Sequence, residues 1–132
     1  MVTSNRFSLA VDYPAALFSD PLMTYGEGDT VWFGPNKDAA TLMISAILAG
    51  DQTPYERACA SGCPNMVSTD DKPAIGAVAG HIDDKIYYSK CLLAEGLERD
   101  SPKEMHCFHL IYKASDRSTY EPIVAHMSAT LK

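Results

Sequence analysis

Positive charge is scarce in this sequence. The 132 residues include 11 lysines and arginines but 17 aspartates and glutamates, which gives a net charge of −6 at pH 7. Proteins that bind duplex DNA or anionic membranes use a basic excess to neutralise phosphates and release counterions. We therefore expect neither nucleic acid nor a membrane as the partner. An acidic protein that binds a basic protein surface is compatible with this charge.

Long apolar runs are also missing. No stretch of about 18 consecutive apolar residues occurs, so no membrane-spanning helix is predicted. The N-terminal residues lack the apolar centre that signal peptides contain, and we expect a cytoplasmic location. Hydrophobic residues make up 46% of the chain and charged residues 21%. This composition is typical of a single globular domain, here residues 1–132.

Cysteines are few, and their spacing matches no strong metal or redox motif. Cys59 and Cys63 form a C-x3-C pair, which differs from the C-x2-C spacing of redox centres and of most structural zinc sites. Cys91 and Cys107 lie in apolar strand patterns, where cysteine behaves as a small hydrophobe. We predict free thiols in a reducing compartment, with no metal and no cofactor. A zinc site built from Cys59, Cys63, Cys107 and His109 is the alternative.

Known catalytic signatures are absent as well. The sequence contains no glycine-rich phosphate loop, no G-x-S-x-G elbow and no Ser-His-Asp order. The order of the predicted helices and strands therefore carries most of the information about function.

The most apolar stretch, residues 38–49, predicts a short helix that is buried on all sides. Asn36 is a suitable N-cap, and Asp38 places a carboxylate in the first turn. The polar residues Asp38, Thr41 and Ser45 are spaced by three and four, and would form one narrow stripe. Because such a helix needs cover on every side, we expect a homo-oligomer, most simply a homodimer.

Antiparallel strands are predicted on both sides of this helix. Residues 6–13 alternate between apolar and polar side chains, and residues 30–33 are rich in β-branched and aromatic side chains. A second short helix is predicted at residues 54–61, with Thr53 as its cap and Glu56 completing a capping box. From residue 74 the period changes to two. This pattern predicts strands at residues 74–82, 86–97, 105–113 and 123–131.

Three segments resemble the hotdog fold of acyl-CoA thioesterases and acyl dehydratases. Ala40-Thr41-Leu42 resembles the start of the central hotdog helix, residues 83–91 resemble the turn and long strand after it, and residues 122–130 resemble the closing strand. The resemblance implies an α+β fold in which an antiparallel β-meander wraps one buried central helix. It also implies an acyl thioester or a related small molecule as the ligand.

The sequence departs from this family at its catalytic positions. Many hotdog thioesterases carry His-Gly-Gly before the central helix, where this chain has Pro35, Asn36 and Lys37. The family's carboxylate further along the helix falls near Ile44. A second thioesterase pattern, Gly-His-x-Asn-Asn, is echoed at residues 80–84, but a strand is predicted to follow it instead of a long helix. Any catalysis would therefore depend on other residues.

Asp38 and His81 are the candidate catalytic residues. The free N–H groups at the predicted helix start, near Asn36, could polarise a thioester carbonyl, and Asp38 could act as general base on a water molecule. His81 lies beside Asp83, a carboxylate able to orient it as a base. The structural alternatives are a carboxylate that complements the helix dipole and a histidine at a solvated strand tip.

Other residues are candidates for lining a ligand site at the mouth of this helix. Thr41 and Ser45 lie on the polar stripe, and the single tryptophan, Trp32, precedes the helix. With Tyr25, Trp32 could form an aromatic wall, although a lone tryptophan also serves as core or as a dimer contact. The predicted ligand-binding residues are Tyr25, Trp32, Asn36, Thr41 and Ser45.

Two functions of different classes follow. The first is a hotdog-like protein that binds or hydrolyses an acyl thioester or a related small molecule, thioesterase-like or dehydratase-like if it is an enzyme. The alternative is a non-enzymatic acidic inhibitor, immunity protein or anti-defence protein that binds a protein partner. A third interpretation, a cone-shaped α+β fold of the nuclear-transport-factor type with isomerase or cyclase activity, would need more helix before the sheet.

Overall fold

The computed structural model describes residues 2–3, 7–26, 28–60, 62–96, 100 and 102–132, without the side chains of Val2, Thr3 and Tyr25. The strands in this part of the chain are β1 (Val2–Thr3), β2 (Ala10–Val11), β3 (Leu22–Tyr25), β4 (Gly28–Phe33), β5 (Thr41–Leu48), β6 (Met66–Asp71), β7 (Ile75–Ile82), β8 (Lys85–Ala94) and β9 (Glu104–Lys113). The α-helices are α1 (Pro54–Ala58) and α2 (Arg117–Thr130), and a 3-10 turn at Ala114–Asp116 precedes α2. None of these helices has both the length and the apolar character needed to cross a membrane.

Seven strands form one antiparallel sheet in the order β3-β4-β5-β9-β8-β7-β6, and β1 pairs with β2 apart from it. The register places Ser45 of β5 opposite Cys107 of β9, and Cys107 opposite Cys91 of β8. Residues that are paired in this way lie on the same face of the sheet. The register therefore decides which side chains from distant parts of the chain meet.

One face of the sheet, named here the α2 face, is closed by α2 and by the N-terminal segment, residues 7–18. Backbone hydrogen bonds of 2.9 and 3.2 Å between Ala10 and Lys132 join these two covers. Large apolar side chains fill the space beneath them. They include Phe7, Leu9, Val11, Phe18, Val31, Phe33, Leu42, Ile44, Phe108, Leu110, Tyr112, Tyr120, Met127 and Leu131.

The opposite face, named here the α1 face, has a smaller cover. Helix α1 packs on β7 and β8, and two glycines of β7 leave room on this face, one for α1 and one for the Tyr87 ring. A Cβ atom at Gly76 would meet the backbone of Pro54 and Tyr55, and a Cβ atom at Gly80 would meet the ring of Tyr87. The cover of this face is therefore set by backbone contact more than by large side chains.

Several predicted elements are confirmed. In α1, the Thr53 Oγ1 atom accepts a hydrogen bond from the Glu56 backbone N–H (3.1 Å), and the Glu56 carboxylate accepts one from the Thr53 N–H (3.0 Å). The strands predicted at residues 74–82, 86–97 and 105–113 correspond to β7, β8 and β9 apart from their ends, and residues 30–33 fall within β4. Of the predicted segments, Arg6, Ser61 and Leu97 lie outside the described residues.

The predicted central helix is wrong, and with it the hotdog-like α+β fold. Residues 38–49 do not form a helix: Thr41–Leu48 is β5, in the middle of a mostly β structure. Leu42 and Ile44 face the α2 side, whereas Met43 and Ser45 face the α1 side. A strand that is buried on both faces is apolar at nearly every position, and a buried helix has the same pattern.

The predicted last strand, residues 123–131, is also wrong. These residues belong to α2, whose buried side chains Tyr120 and Met127 are seven positions apart and therefore lie on one helix face. Ile123 and Met127 also fit a two-residue alternation, which is why the pattern was compatible with a strand. Pro122 lies inside the helix, where we expected it to mark a strand end.

The prediction of free thiols is wrong as well. Cys59 is bonded to Cys63 and Cys91 is bonded to Cys107, with Cα–Cα distances of 5.4 and 4.1 Å. The second pair is formed because β8 and β9 place the two residues directly opposite each other. Since these four sulfur atoms are used in disulfides, the alternative zinc site has lost its thiolate ligands. The described residues contain no group of three or more side chains that could hold a metal ion.

Candidate functional site

The α1 face is covered only in part. Helix α1 lies over β7 and β8, and within the described residues no element covers β3, β4 and β5 on this side. Leu22 of β3 and Trp32 of β4 are paired neighbours there, with exposed fractions of 65% and 45%. The boundary between the covered and uncovered halves forms a groove.

A cavity of about 590 Å³ opens along this groove. Its wall is formed by α1 and by Ala60, Gly62 and Pro64, and its rim includes Trp32 and Ile82. The volume is within the range of about 300–1,000 Å³ that is usual for small-molecule sites. The floor comes from β5, β8 and β9 and consists of Thr41, Met43, Ser45, Tyr87, Ser89, Cys91, Cys107, His109 and Ile111.

Tyr87 holds the wall of the cavity in place. Its hydroxyl donates a hydrogen bond of 2.8 Å to the backbone carbonyl of Pro64. Burial raises the pKa of Tyr87, so the phenol keeps its proton and remains a donor. The Cys59–Cys63 disulfide joins the C-cap residue of α1 to the residue before Pro64. The hydrogen bond fixes the wall to the sheet, and the disulfide fixes it to the end of α1.

The floor contains a buried hydroxyl group that lacks a hydrogen-bond partner. Ser45 is 4% exposed, and its Oγ atom is the one buried side-chain polar atom in the described part of the chain without a hydrogen bond. Such an atom costs about 1–3 kcal/mol in lost solvation, and native structures contain few of them. A polar ligand group that reached the floor would supply the missing hydrogen bond.

Ser89 and His109 lie directly opposite each other on β8 and β9, and both line the cavity. Burial lowers the pKa of His109 from its ordinary value of 6.5, so the imidazole is neutral at pH 7. The His109 ring stacks on Tyr87 with the ring centroids 6.4 Å apart. A neutral imidazole presents one donor and one acceptor to a ligand. None of the described residues that line the cavity is a carboxylate able to orient it, so a third member of a catalytic triad is not found among them.

Three of the predicted ligand-binding residues, Trp32, Thr41 and Ser45, line this cavity. They meet for a reason other than the predicted helical stripe. Thr41 and Ser45 share a face because side chains alternate along β5, and Trp32 reaches the same face because it pairs with Met43. Their role in binding stays a prediction. The side chain of Tyr25, the second aromatic candidate, lies outside the described residues.

Asn36 and Asp38 lie away from the cavity, in the turn between β4 and β5. The Asn36 Oδ1 atom accepts hydrogen bonds from the backbone N–H groups of Asp38 (2.9 Å) and Ala40 (3.0 Å). The Tyr120 hydroxyl donates to Asp38 Oδ2 (2.8 Å) and accepts from Asn36 Nδ2 (3.0 Å). No helix begins at this point, so the predicted oxyanion site at a helix N-terminus is wrong. These side chains instead attach the turn to α2.

His81 is also remote from the cavity. It pairs with Ile86, whose side chain packs against the core of the α2 face. Asp83 occupies the turn after β7 with a positive φ of 54°. Within the described residues, no hydrogen bond or ion pair joins His81 to Asp83. The pairing that made His81 a candidate base is therefore not formed.

Four residues of the site were missed by sequence reasoning: Arg57, Tyr87, Ser89 and His109. The two-residue period of β8 and β9 placed Tyr87 with Ser89, and His109 with Cys107, on common faces. The missing information was the register between the two strands. A Cys91–Cys107 disulfide would have supplied it, because that pair aligns Ser89 with His109.

A second polar cluster is enclosed on the α2 face. The His106 Nε2 atom lies 2.8 Å from the Glu104 carboxylate, and its Nδ1 atom lies 2.7 Å from the backbone oxygen of Lys132. Ser8 donates from its backbone N–H (2.8 Å) and its hydroxyl (3.0 Å) to the same carboxylate oxygen. All of these groups have partners, so the cluster fastens the N-terminal segment and leaves no group for a ligand.

No protein-family model, curated protein or solved structure matches this chain. Nothing in these comparisons links it to the hotdog-fold thioesterases, and the sheet described above contradicts that fold. The candidate site is therefore argued from its own geometry.

Proposed function

We propose that this protein binds a small organic molecule with an apolar body, such as an acyl chain, in the cavity on the α1 face. The unpartnered Ser45 hydroxyl carries this proposal, because it is a polar atom that a ligand can satisfy in a cavity lined mainly by apolar groups. Met43 and Ile111 offer apolar contact on the floor, and Trp32 offers an aromatic surface at the rim.

Binding is the primary form of the proposal, and hydrolysis is its catalytic form. Ser89 and His109 place a hydroxyl group opposite a neutral imidazole, and this combination can act on an acyl thioester. The described part of the lining contains no carboxylate to orient the imidazole, which favours binding without turnover.

A second candidate function is the capture of a protein partner. The two edge strands carry exposed apolar side chains, Leu22 and Met23 on β3 and Met66 and Val67 on β6. In the described part of the chain, each edge strand pairs on one side only, and such an edge can accept a strand from a second copy or another protein. The net charge of −6 would favour a basic partner.

We also infer an oxidising compartment in place of the cytoplasm predicted from the sequence. Two disulfides are present, and disulfides persist mainly in secreted, periplasmic or lumenal proteins. Rapid alkylation of thiols in the native host, followed by mass measurement, should find all four cysteines unmodified until a reductant is added. Four alkylated cysteines before reduction would support the cytoplasm.

Trp32 fluorescence provides the test of binding. Because Trp32 is the single tryptophan of the chain and lies at the cavity rim, a bound ligand should change its emission. We expect a saturable change with decanoyl-CoA, decanoate or decanol, and thiol release from decanoyl-CoA would reveal hydrolysis. If none of the three probes gives a saturable change, binding of acyl-chain ligands is contradicted.

Ser45→Ala sharpens this test. Loss of one hydrogen bond to the ligand should weaken binding about two- to tenfold, while the melting temperature stays constant or rises because an unpaired hydroxyl has been removed. Ser68→Ala, on the exposed strand β6, is the matched control and should bind as the wild type does. Equal affinity of the Ser45→Ala variant and the wild type for every probe would remove Ser45 from the site.

A further inference from the structure

We propose that the ligand of this cavity carries an oxyanion head group, a carboxylate or a phosphate, which is bound by Arg57. The inference rests on the proposed function. It adds that the ligand is negatively charged and that Arg57 binds the charged group. Arg57 lines the cavity from α1, which packs on β7 and β8, whereas Trp32 lines it from β4. The apolar body of the ligand would then extend from Arg57 towards Trp32.

Arg57 is a half-buried cation that forms no ion pair with any residue the structure describes. The ion pairs within the described residues involve other side chains, and none includes Arg57. Charged groups that lose part of their hydration are usually paired in proteins. An unpaired arginine that lines a cavity is therefore available to an anionic ligand.

The neighbouring carboxylate does not neutralise Arg57. Glu56 uses its side chain in the capping box, where it accepts a hydrogen bond from the Thr53 N–H. The hydrogen bonds from Thr53, the backbone one foremost, lower the pKa of Glu56. The same capping box fixes the start of α1, and Ala58 is buried against the sheet. The helical turn that contains Arg57 is therefore held in position by the capping box and by the packing of Ala58.

Among the residues that the structure describes, none that lines the cavity is acidic, although the chain has 17 aspartates and glutamates. His109 adds no charge at pH 7 because burial keeps it neutral. Arg57 therefore sets the sign of the charge in the cavity, against the acidic background of the protein. Its planar guanidinium can hold a carboxylate or phosphate with two parallel hydrogen bonds, and the hydroxyls of Ser45 and Ser89 add further donors on the floor.

Decanoate, decyl phosphate and decanol form a matched set of probes, because they share the alkyl chain and differ in the head group. We expect the better anion to bind the wild type about tenfold or more tightly than decanol, as measured by Trp32 fluorescence. Arg57→Gln should abolish this preference and leave the affinity for decanol unchanged. Arg57→Lys should keep part of it, since a lysine supplies the charge without the planar fork.

Arg117→Gln is the control for loss of an arginine, because Arg117 lies on α2 and pairs with Glu121 at 3.5 Å. It should retain the preference for anions.

Preference for decanoate over decyl phosphate, or the reverse, separates the two head groups. Equal binding of decanol and both anions by the wild type would overturn the role of Arg57 and leave the proposed function standing. Equal weakening of all three probes by Arg57→Gln would also overturn it. Failure of every probe to bind would contradict the proposed function itself.

Discussion

The two faces of the sheet are built in opposite ways. On the α2 face, a long helix and the N-terminal segment enclose large aromatic and aliphatic side chains, with Phe33, Phe108 and Tyr120 almost fully buried. On the α1 face, a helix of five residues rests on glycines, and a disulfide and a cavity occupy the place of a large core. The α2 face therefore contains the larger hydrophobic core, and the α1 face contains the cavity.

Polar groups follow the same division. On the α2 face, Asn36, Asp38 and Tyr120 are joined by hydrogen bonds, and Lys90 Nζ donates to the Ser128 hydroxyl at 2.8 Å. Burial raises the pKa of Tyr120, which keeps its phenol protonated as a donor to Asp38. On the α1 face, Ser45 has no partner. Satisfied polar groups stabilise the fold, whereas the unsatisfied one marks where a ligand is expected.

The largest expected difference between the faces concerns side-chain packing. Phe108 and Ile111 project from opposite faces of β9. Phe108→Ala should lower the free energy of unfolding by about 3–5 kcal/mol, because it leaves a hole in a closed core. Ile111→Ala should cost about 1–2 kcal/mol, because Ile111 is half-buried beside an existing cavity. Urea denaturation measures both values, and equal losses would break the comparison.

On the α1 face, loss of a disulfide should lower the free energy of unfolding more than loss of a packed side chain does. Replacing Cys91 and Cys107 by alanine opens a loop of sequence separation 16 and should cost about 3 kcal/mol by loop entropy. The same change at Cys59 and Cys63, with a separation of 4, should cost about 2 kcal/mol. Thermal denaturation of the two double variants gives the order. A larger loss for the Cys59–Cys63 pair would show that fixing the cavity wall stabilises the protein more than joining β8 to β9.

The smallest expected effect is a pH dependence that arises at the cavity. Burial lowers the pKa of His109 in the folded protein, so below pH 6.5 the unfolded chain binds a proton that the folded chain does not. Stability should therefore fall as the pH decreases from about 6.5 towards the lower folded-state pKa, by at most about 1.4 kcal/mol per pH unit. His109→Gln should flatten this slope in urea titrations between pH 5 and pH 8.

His81→Gln is the control for removing a histidine, because His81 is remote from the cavity. It should keep the wild-type slope. A slope that is unchanged by His109→Gln and reduced by His81→Gln would mean that the α1 face does not bury its histidine.

Some local signals in the sequence predicted local structure correctly, although the two-residue period of residues 123–131 did not. The Thr53–Glu56 capping box and the two-residue period of β7, β8 and β9 depend on near neighbours, and each was confirmed. Residues 41–48 were misread because burial on both faces removes the alternation that distinguishes a strand from a helix. Only the pairing of β5 with its neighbour β4 and with β9, which is distant in sequence, reveals its structure.

The candidate site could be predicted only in part, because its residues are brought together by contacts between distant parts of the chain. Trp32, Thr41 and Ser45 line one cavity, although a helical stripe is not the cause, and their role in binding stays a prediction. Ser89 and His109 come from strands whose register the sequence leaves open, and Arg57 from a helix whose position depends on β7. Sites assembled across strands need the register before the side chains can be brought together.

The width of the cavity is decided by a strand that contributes only Ile82 to its lining. Gly76 and Gly80 carry no side-chain atoms where α1 and the Tyr87 ring lie against β7. An added methyl group at either glycine would push the wall outward and enlarge the space in front of β5 and β9. The dimensions of a ligand that fits could therefore change through substitutions in β7 that never touch the ligand.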